Sequence, residues 1–133
     1  MDEAKRKEIS LYMQNANEAL SVASLNLSSD YISAAVNRAY YAIFYAANAV
    51  LATKKFPHSK HSGVIAAFRQ YFVKTGVLSS ELSDIYGQIM EDRHVSDYEL
   101  ISDLSRQDAQ LDIDQASYFV DEVKKWLEKE GWL

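Results

Sequence analysis

The sequence predicts an all-α fold, a four- to five-helix antiparallel up-and-down bundle, and three observations predict it. Apolar residues recur at spacings of three and four through most of the chain, which is helical periodicity. Gly occurs 4 times and Pro once in 133 residues, so the frequent turns of a β-sandwich or barrel have no signal. The connections between periodic runs are short, which favours antiparallel neighbours. The length fits one domain with one core, residues 1–133.

The first helix is expected over about Asp2 to Leu25, where Ile9, Tyr12, Met13, Ala16, Leu20 and Ala23 make one apolar stripe. Asn26 to Asp30, "NLSSD", is turn chemistry with candidate N-caps. A second helix, about Tyr31 to Lys54, is apolar nearly all round and belongs at the centre of the bundle. Asn37 and Arg38 interrupt it. Lys54 to Val64, "KKFPHSKHSGV", is a connection: Pro57 cannot extend the helix before it, and Ser59 or Ser62 suits the cap of the next. The third helix runs to about Lys74, with Val64, Ile65, Phe68 and Phe72 on one face and Gly76 as its C′ residue. The fourth begins near Ser79 or Ser80, with Leu82, Ile85, Tyr86 and Ile89 facing the core. Leu100 to Leu111 is weakly periodic and reads as a loop or frayed helix. The last helix is expected to open at Asp112, with Gln115 completing a capping box and Ile113, Ala116, Val120, Val123 and Leu127 as its stripe.

Composition narrows the function. A net charge of −5 argues against a broad basic surface for duplex DNA, although a local basic pocket is compatible with it. The absence of Cys removes disulfides, thiolate metal sites and Cys nucleophiles, and fits a reducing, cytoplasmic setting. The charged start "MDEAKRKEIS" lacks the apolar core of a signal peptide. The longest apolar-rich run, Ala39 to Thr53, falls short of a membrane span and contains Asn48. Nine Tyr in so short a chain favour half-buried contacts and an oligomer.

Two arginines stand where helical periodicity asks for apolar residues. Arg38 lies mid-way along the most apolar helix, and Arg93 follows Ile89 by one turn within Met90 to Glu99, "MEDRHVSDYE". Either can pack its stem and pair with a carboxylate, or present a guanidinium to phosphate. Asp97, four residues after Arg93, is placed to orient it if the helix continues, and Tyr98 follows. His94 is rotated about 100° from Arg93 and need not share its pocket. His58 and His61 flank Lys60, but two imidazoles without a third ligand do not make a metal site. Lys60 and His61 near a helix start suit a phosphate instead. The sequence carries no phosphate-loop, dinucleotide, nucleophile-elbow or zinc-protease motif, and no cofactor is expected.

Taken in order, "AAVNRAYYAIFYAANAVL", "KHSGVIAAFRQYFVKTG" and "RHVSDYE" resemble the HEPN domain, and more narrowly its small, single-domain prokaryotic members. The resemblance spans about Glu8 to Leu127 through the ordered elements R-A-Y-Y-A, H-S-G-V and R-x-x-x-D-Y. It implies a helical bundle, usually a homodimer, that binds a nucleotide or RNA. It also implies a minimal nucleotidyltransferase as partner in a toxin–antitoxin pair. By position it points to Arg38, Tyr41, His61, Arg93, Asp97 and Tyr98. The toxins of the family are metal-independent endoribonucleases in which His follows Arg with four to six residues between. Here those places hold Tyr98, Glu99 and Leu100. Cleavage through a 2′-hydroxyl needs a base near neutral pKa, which an imidazole supplies and an ordinary phenol, at ~10, does not. The resemblance therefore implies binding ahead of catalysis. Arg93, His94, Tyr98 and His61 are the candidates should the chain be a ribonuclease, and a ligand-free helical adaptor is the remaining alternative.

Overall fold

In a computed structural model, residues 2–54, 61–98 and 102–133 are described, without the side chains of residues 61 and 62. They form α1 (Glu3–Ser28), α2 (Ile32–Ala52), α3 (His61–Phe68), α4 (Ser80–Tyr98) and α5 (Arg106–Lys129). A π-helical turn, Arg69–Val73, continues α3. No strand occurs among the described residues, and the fold is the all-α bundle that the periodicity predicts. No described helix is long and apolar enough to cross a membrane.

Local chemistry explains the ends. The Asp2 carboxylate caps α1 by accepting from the amides of Ala4 (2.9 Å) and Lys5 (3.3 Å). That helix runs three residues past its expected end, and the chain then reverses at Asp30 with φ 63°, a left-handed conformation that Asp tolerates. Arg106 locks this turn, donating through Nη1 to the Leu27 carbonyl at 2.7 Å and to Asp30. Gly76 adopts φ 79°, the left-handed value that a C′ glycine supplies without strain. The Ser79 hydroxyl accepts from the Glu81 amide at 3.1 Å and starts α4.

Helix α2 packs against α1, α3, α4 and α5, as its all-round apolarity demands. Its alanines at 35, 39, 42, 46 and 49 are fully buried and admit close neighbours. The buried Asn48 donates to the Phe44 carbonyl of its own helix at 2.9 Å, so it carries no unmet donor cost there. Tyr40, Phe68, Tyr86 and Phe119, one from each of α2 to α5, are fully buried and share ring contacts between 5.4 and 6.4 Å. The Tyr86 hydroxyl bonds to no described group, and burial drives its pKa well above the usual value. Tyr86→Phe removes an unmet polar group from the core, so it should raise stability by up to about 1 kcal/mol. A lower melting temperature in that variant would show that the hydroxyl is bonded in solution.

The last helix departs from the sequence reading. It opens at Arg106, not Asp112. Ser105 and Asp108 form the capping box: the Ser105 hydroxyl accepts from the Asp108 amide at 3.1 Å, and the Asp108 carboxylate accepts from the Ser105 amide at 2.8 Å. Asp112 lies nearly two turns inside the helix and is 2% exposed. It faces Asp92 of α4, whose own Oδ1 accepts from Gln88 Nε2 at 3.0 Å. Burial first, then the hydrogen bond and charge of Asp92, then the charge of Asp108, push the Asp112 carboxyl up to about 8. At neutral pH it therefore holds its proton and can donate to Asp92.

Candidate functional site

Arg93 sits one turn beyond Ile89, on the face that sends Leu82, Ile85 and Ile89 into the core. Its guanidinium carbon lies 4.7 Å from the centre of the buried Tyr40 ring and 5.7 Å from that of Tyr41. Two aromatic faces from α2 thus take the place of an apolar partner, each worth about 0.5–1 kcal/mol. Because α4 continues to Tyr98, Asp97 comes within reach, and Arg93 Nε donates to its Oδ2 at 3.0 Å. The same oxygen accepts from Asn37 Nδ2 at 3.1 Å. Asn37 Oδ1 in turn accepts from Arg38 Nε at 3.3 Å and Nη2 at 3.0 Å. The guanidinium carbon of Arg38 lies 4.7 Å from the Tyr41 ring centre.

One polar chain, Arg93–Asp97–Asn37–Arg38, therefore crosses from α4 to α2 over Tyr40 and Tyr41. Arg93 pairs with the Asp97 carboxylate and Arg38 with the Asn37 amide, so two guanidiniums stand against the one carboxylate bonded within the chain of contacts. Neither Nη of Arg93 nor Nη1 of Arg38 bonds to a described residue. The Arg93 and Asp97 side chains are 18% and 25% exposed, which leaves them reachable yet shelters their charges from full screening. Arg38 also lines a small pocket of about 130 Å³ with Asn15, Glu18 and Tyr45 between α1 and α2. Burial, opposed by Arg93 and reinforced by Tyr41, pushes the Tyr40 phenol up to about 12. Tyr40 keeps its proton at neutral pH and cannot act as a general base there. N–H donors that bond to no described residue, on two guanidiniums set over aromatic rings, are the chemistry that suits an anion.

The structure brings together Arg38, Tyr41, Arg93 and Asp97. It sets His94 and Tyr98 on the adjacent face of α4, where their rings stand 5.1 Å apart and Tyr98 is 67% exposed. His58 and Lys60 lie outside the described residues; His61 opens α3, with its side chain also outside them. Asn37 and Tyr40 complete the cluster. Asn37 has a sequence signal, as a polar break in an apolar helix, whereas Tyr40 reads as one more core aromatic. Among the described residues no three His, Asp or Glu side chains converge as metal ligands would.

A family model described as HEPN domain matches residues 9–126. The UPF0332 protein of Thermotoga maritima is 39% identical over 124 residues, covering 93% of this chain and 94% of that one. "Putative toxin MJ0605" of Methanocaldococcus jannaschii is 38% identical over 93% of this chain and 92% of its own. "Putative toxin MJ0142" of the same organism is 29% identical over 92% and 83%.

Proposed function

We propose, from the premise that this chain belongs to the HEPN domain family, that it is a toxin-like protein binding the phosphate of a nucleotide or RNA at the Arg93–Asp97–Asn37–Arg38 cluster. The observation that carries this is the Arg93 guanidinium. It is fixed by Asp97 and Tyr40 through one edge and one face, while both Nη groups are left without a bond to any described residue. A structural ion pair has no need of that residual donor capacity, whereas a phosphate uses it. Arg38 pairs with the Asn37 amide and with no described carboxylate, although Glu18 lines the same pocket, so its Nη1 donor too is available to a ligand. The names of the Methanocaldococcus relatives support the toxin-like part. The family resemblance supports a cytoplasmic homodimer working with a minimal nucleotidyltransferase.

Titration of the purified protein with ATP, AMP and a short single-stranded RNA is the test. Binding to at least one of these, weakened about tenfold by Arg38→Ala, is the expected result. Absence of binding to all three would remove the reading and leave a helical adaptor. Endoribonuclease activity is the second reading, favoured by the imidazole of His94 on the next face of α4. RNA cleaved in EDTA, with cleavage lost in Arg93→Ala and in His94→Ala, would establish catalysis.

A further inference from the structure

Gly87 stands inside α4, where glycine costs roughly 1 kcal/mol relative to alanine. A Cβ at this position would stand 2.7 Å from Arg69 Nη2. Arg69 comes from the π-helical turn after α3, a type of irregularity frequent at functional sites. Its Nε donates to the Ser83 hydroxyl at 2.8 Å and its Nη2 to the Ser83 carbonyl at 3.4 Å. The guanidinium is thereby laid across α4 at the one residue with no side chain to obstruct it. Nη1 bonds to no described residue. Arg69 and Gly87, with Ile65, Met90, Glu91 and His94, line a groove of about 540 Å³ between α3 and α4. That volume lies in the usual range for small-ligand sites.

We propose that this groove is a second nucleotide subsite, in which Arg69 takes a phosphate and Ile65 and Met90 cover a base. The inference rests on the reading of the Arg93 cluster as a phosphate site, since His94 follows Arg93 and puts the groove beside it on α4. The lining distinguishes a nucleotide from a bare anion. Phosphate oxygens accept from a guanidinium. A base needs apolar cover, and its amino group or the ribose hydroxyls need an acceptor such as the Glu91 carboxylate, which would only repel an inorganic anion. His94 adds an imidazole at the end of the groove nearer Tyr98. Gly87 lets the guanidinium stay close against α4 and leaves the groove open.

The test uses AMP and a single-stranded RNA of about eight nucleotides, separately, as probes of a free nucleotide and a nucleotide within a strand. Gly87→Ala keeps the helix and displaces only the far end of Arg69, so its melting temperature should not fall. Its affinity for whichever probe the groove takes should fall about three- to tenfold, and that of Arg69→Ala about tenfold. The double variant should be no weaker than Arg69→Ala, because both changes act on one guanidinium. Wild-type affinity in Gly87→Ala and Arg69→Ala, beside weakened binding in Arg93→Ala, would overturn the subsite and leave the Arg93 reading standing. Loss in Arg69→Ala without loss in Arg93→Ala would do the reverse. A wild-type protein that binds neither probe would overturn both.

Discussion

Arg93→Ala should weaken binding of a short single-stranded RNA or nucleotide about 30- to 100-fold while leaving the fold intact. A charge-assisted contact to phosphate in a sheltered site is worth about 2–2.8 kcal/mol, which is that range. The variant loses the two Nη groups that bond to no described residue and also the cation that holds Asp97 in check. An Asp97 carboxylate balanced only by Asn37 and the more distant Arg38 then faces the incoming phosphate and repels it. The folding cost should be modest, about 1–2 kcal/mol, since the ion pair is partly exposed and the contacts with Tyr40 and Tyr41 are cation–π ones. Fluorescence anisotropy at several salt concentrations separates this from a general loss of charge. For a single-stranded RNA, the slope of log affinity against log salt should flatten by about 0.7. Lys124→Ala, on exposed α5 surface, should leave affinity near wild type. Equal losses in the two variants would mean that the RNA reads net charge and not the cluster.

Arg93 is legible in the sequence because it breaks a rule. After Leu82, Ile85 and Ile89, an arginine on the same stripe needs a partner, and Asp97 stands one turn on in the same helix. The bundle is legible from the same periodicity, since α2 is apolar on nearly every side and belongs at the centre. What stays hidden depends on contacts between helices. Nothing in "VNRAYY" says that Asn37 will reach Asp97, which is far along the chain, or that Arg93 will rest on Tyr40. Arg69 and Gly87 each look ordinary alone, and the π-helical turn that precedes their meeting has no periodic signature. The start of α5 is masked because its first buried residue is Ala109, a small side chain that adds little to an apolar stripe. Periodicity becomes visible only at Ile113, and Asp112 beside it then resembles a cap.

That buried aspartate leads to the second large effect. Asp112→Asn should stabilise the protein on the alkaline side and flatten its stability–pH profile. The Asp112 pKa is raised in the fold, to about 8 from 3.8, so the sign is opposite to that of a salt-bridged carboxylate. Below ~4 the folded and unfolded chains both hold the proton, and the group's contribution is fully present. Between ~4 and ~8 the unfolded chain has released the proton while the folded chain keeps it, so stability falls as pH rises. Above ~8 the folded carboxyl also ionises, the loss levels off, and two carboxylates face each other between α4 and α5. The amide introduced by Asp112→Asn would keep a donor toward Asp92 without carrying a charge at any pH. The expected gain is near zero at pH ~4 and on the order of 2–3 kcal/mol at pH ~8. In thermal melts that is a shift of about 3–5 °C per kcal/mol. Asp92→Asn should also flatten the wild-type profile, because it removes the charge that holds the proton on Asp112, although burial keeps part of the effect. Parallel pH profiles for the wild type and Asp112→Asn would show that Asp112 is ionised in the fold. Because Asp92 and Arg93 are consecutive in α4, repulsion across this pair acts on the same stretch of helix that presents the guanidinium. If it moves that stretch, RNA affinity at alkaline pH should fall in the wild type and hold in Asp112→Asn.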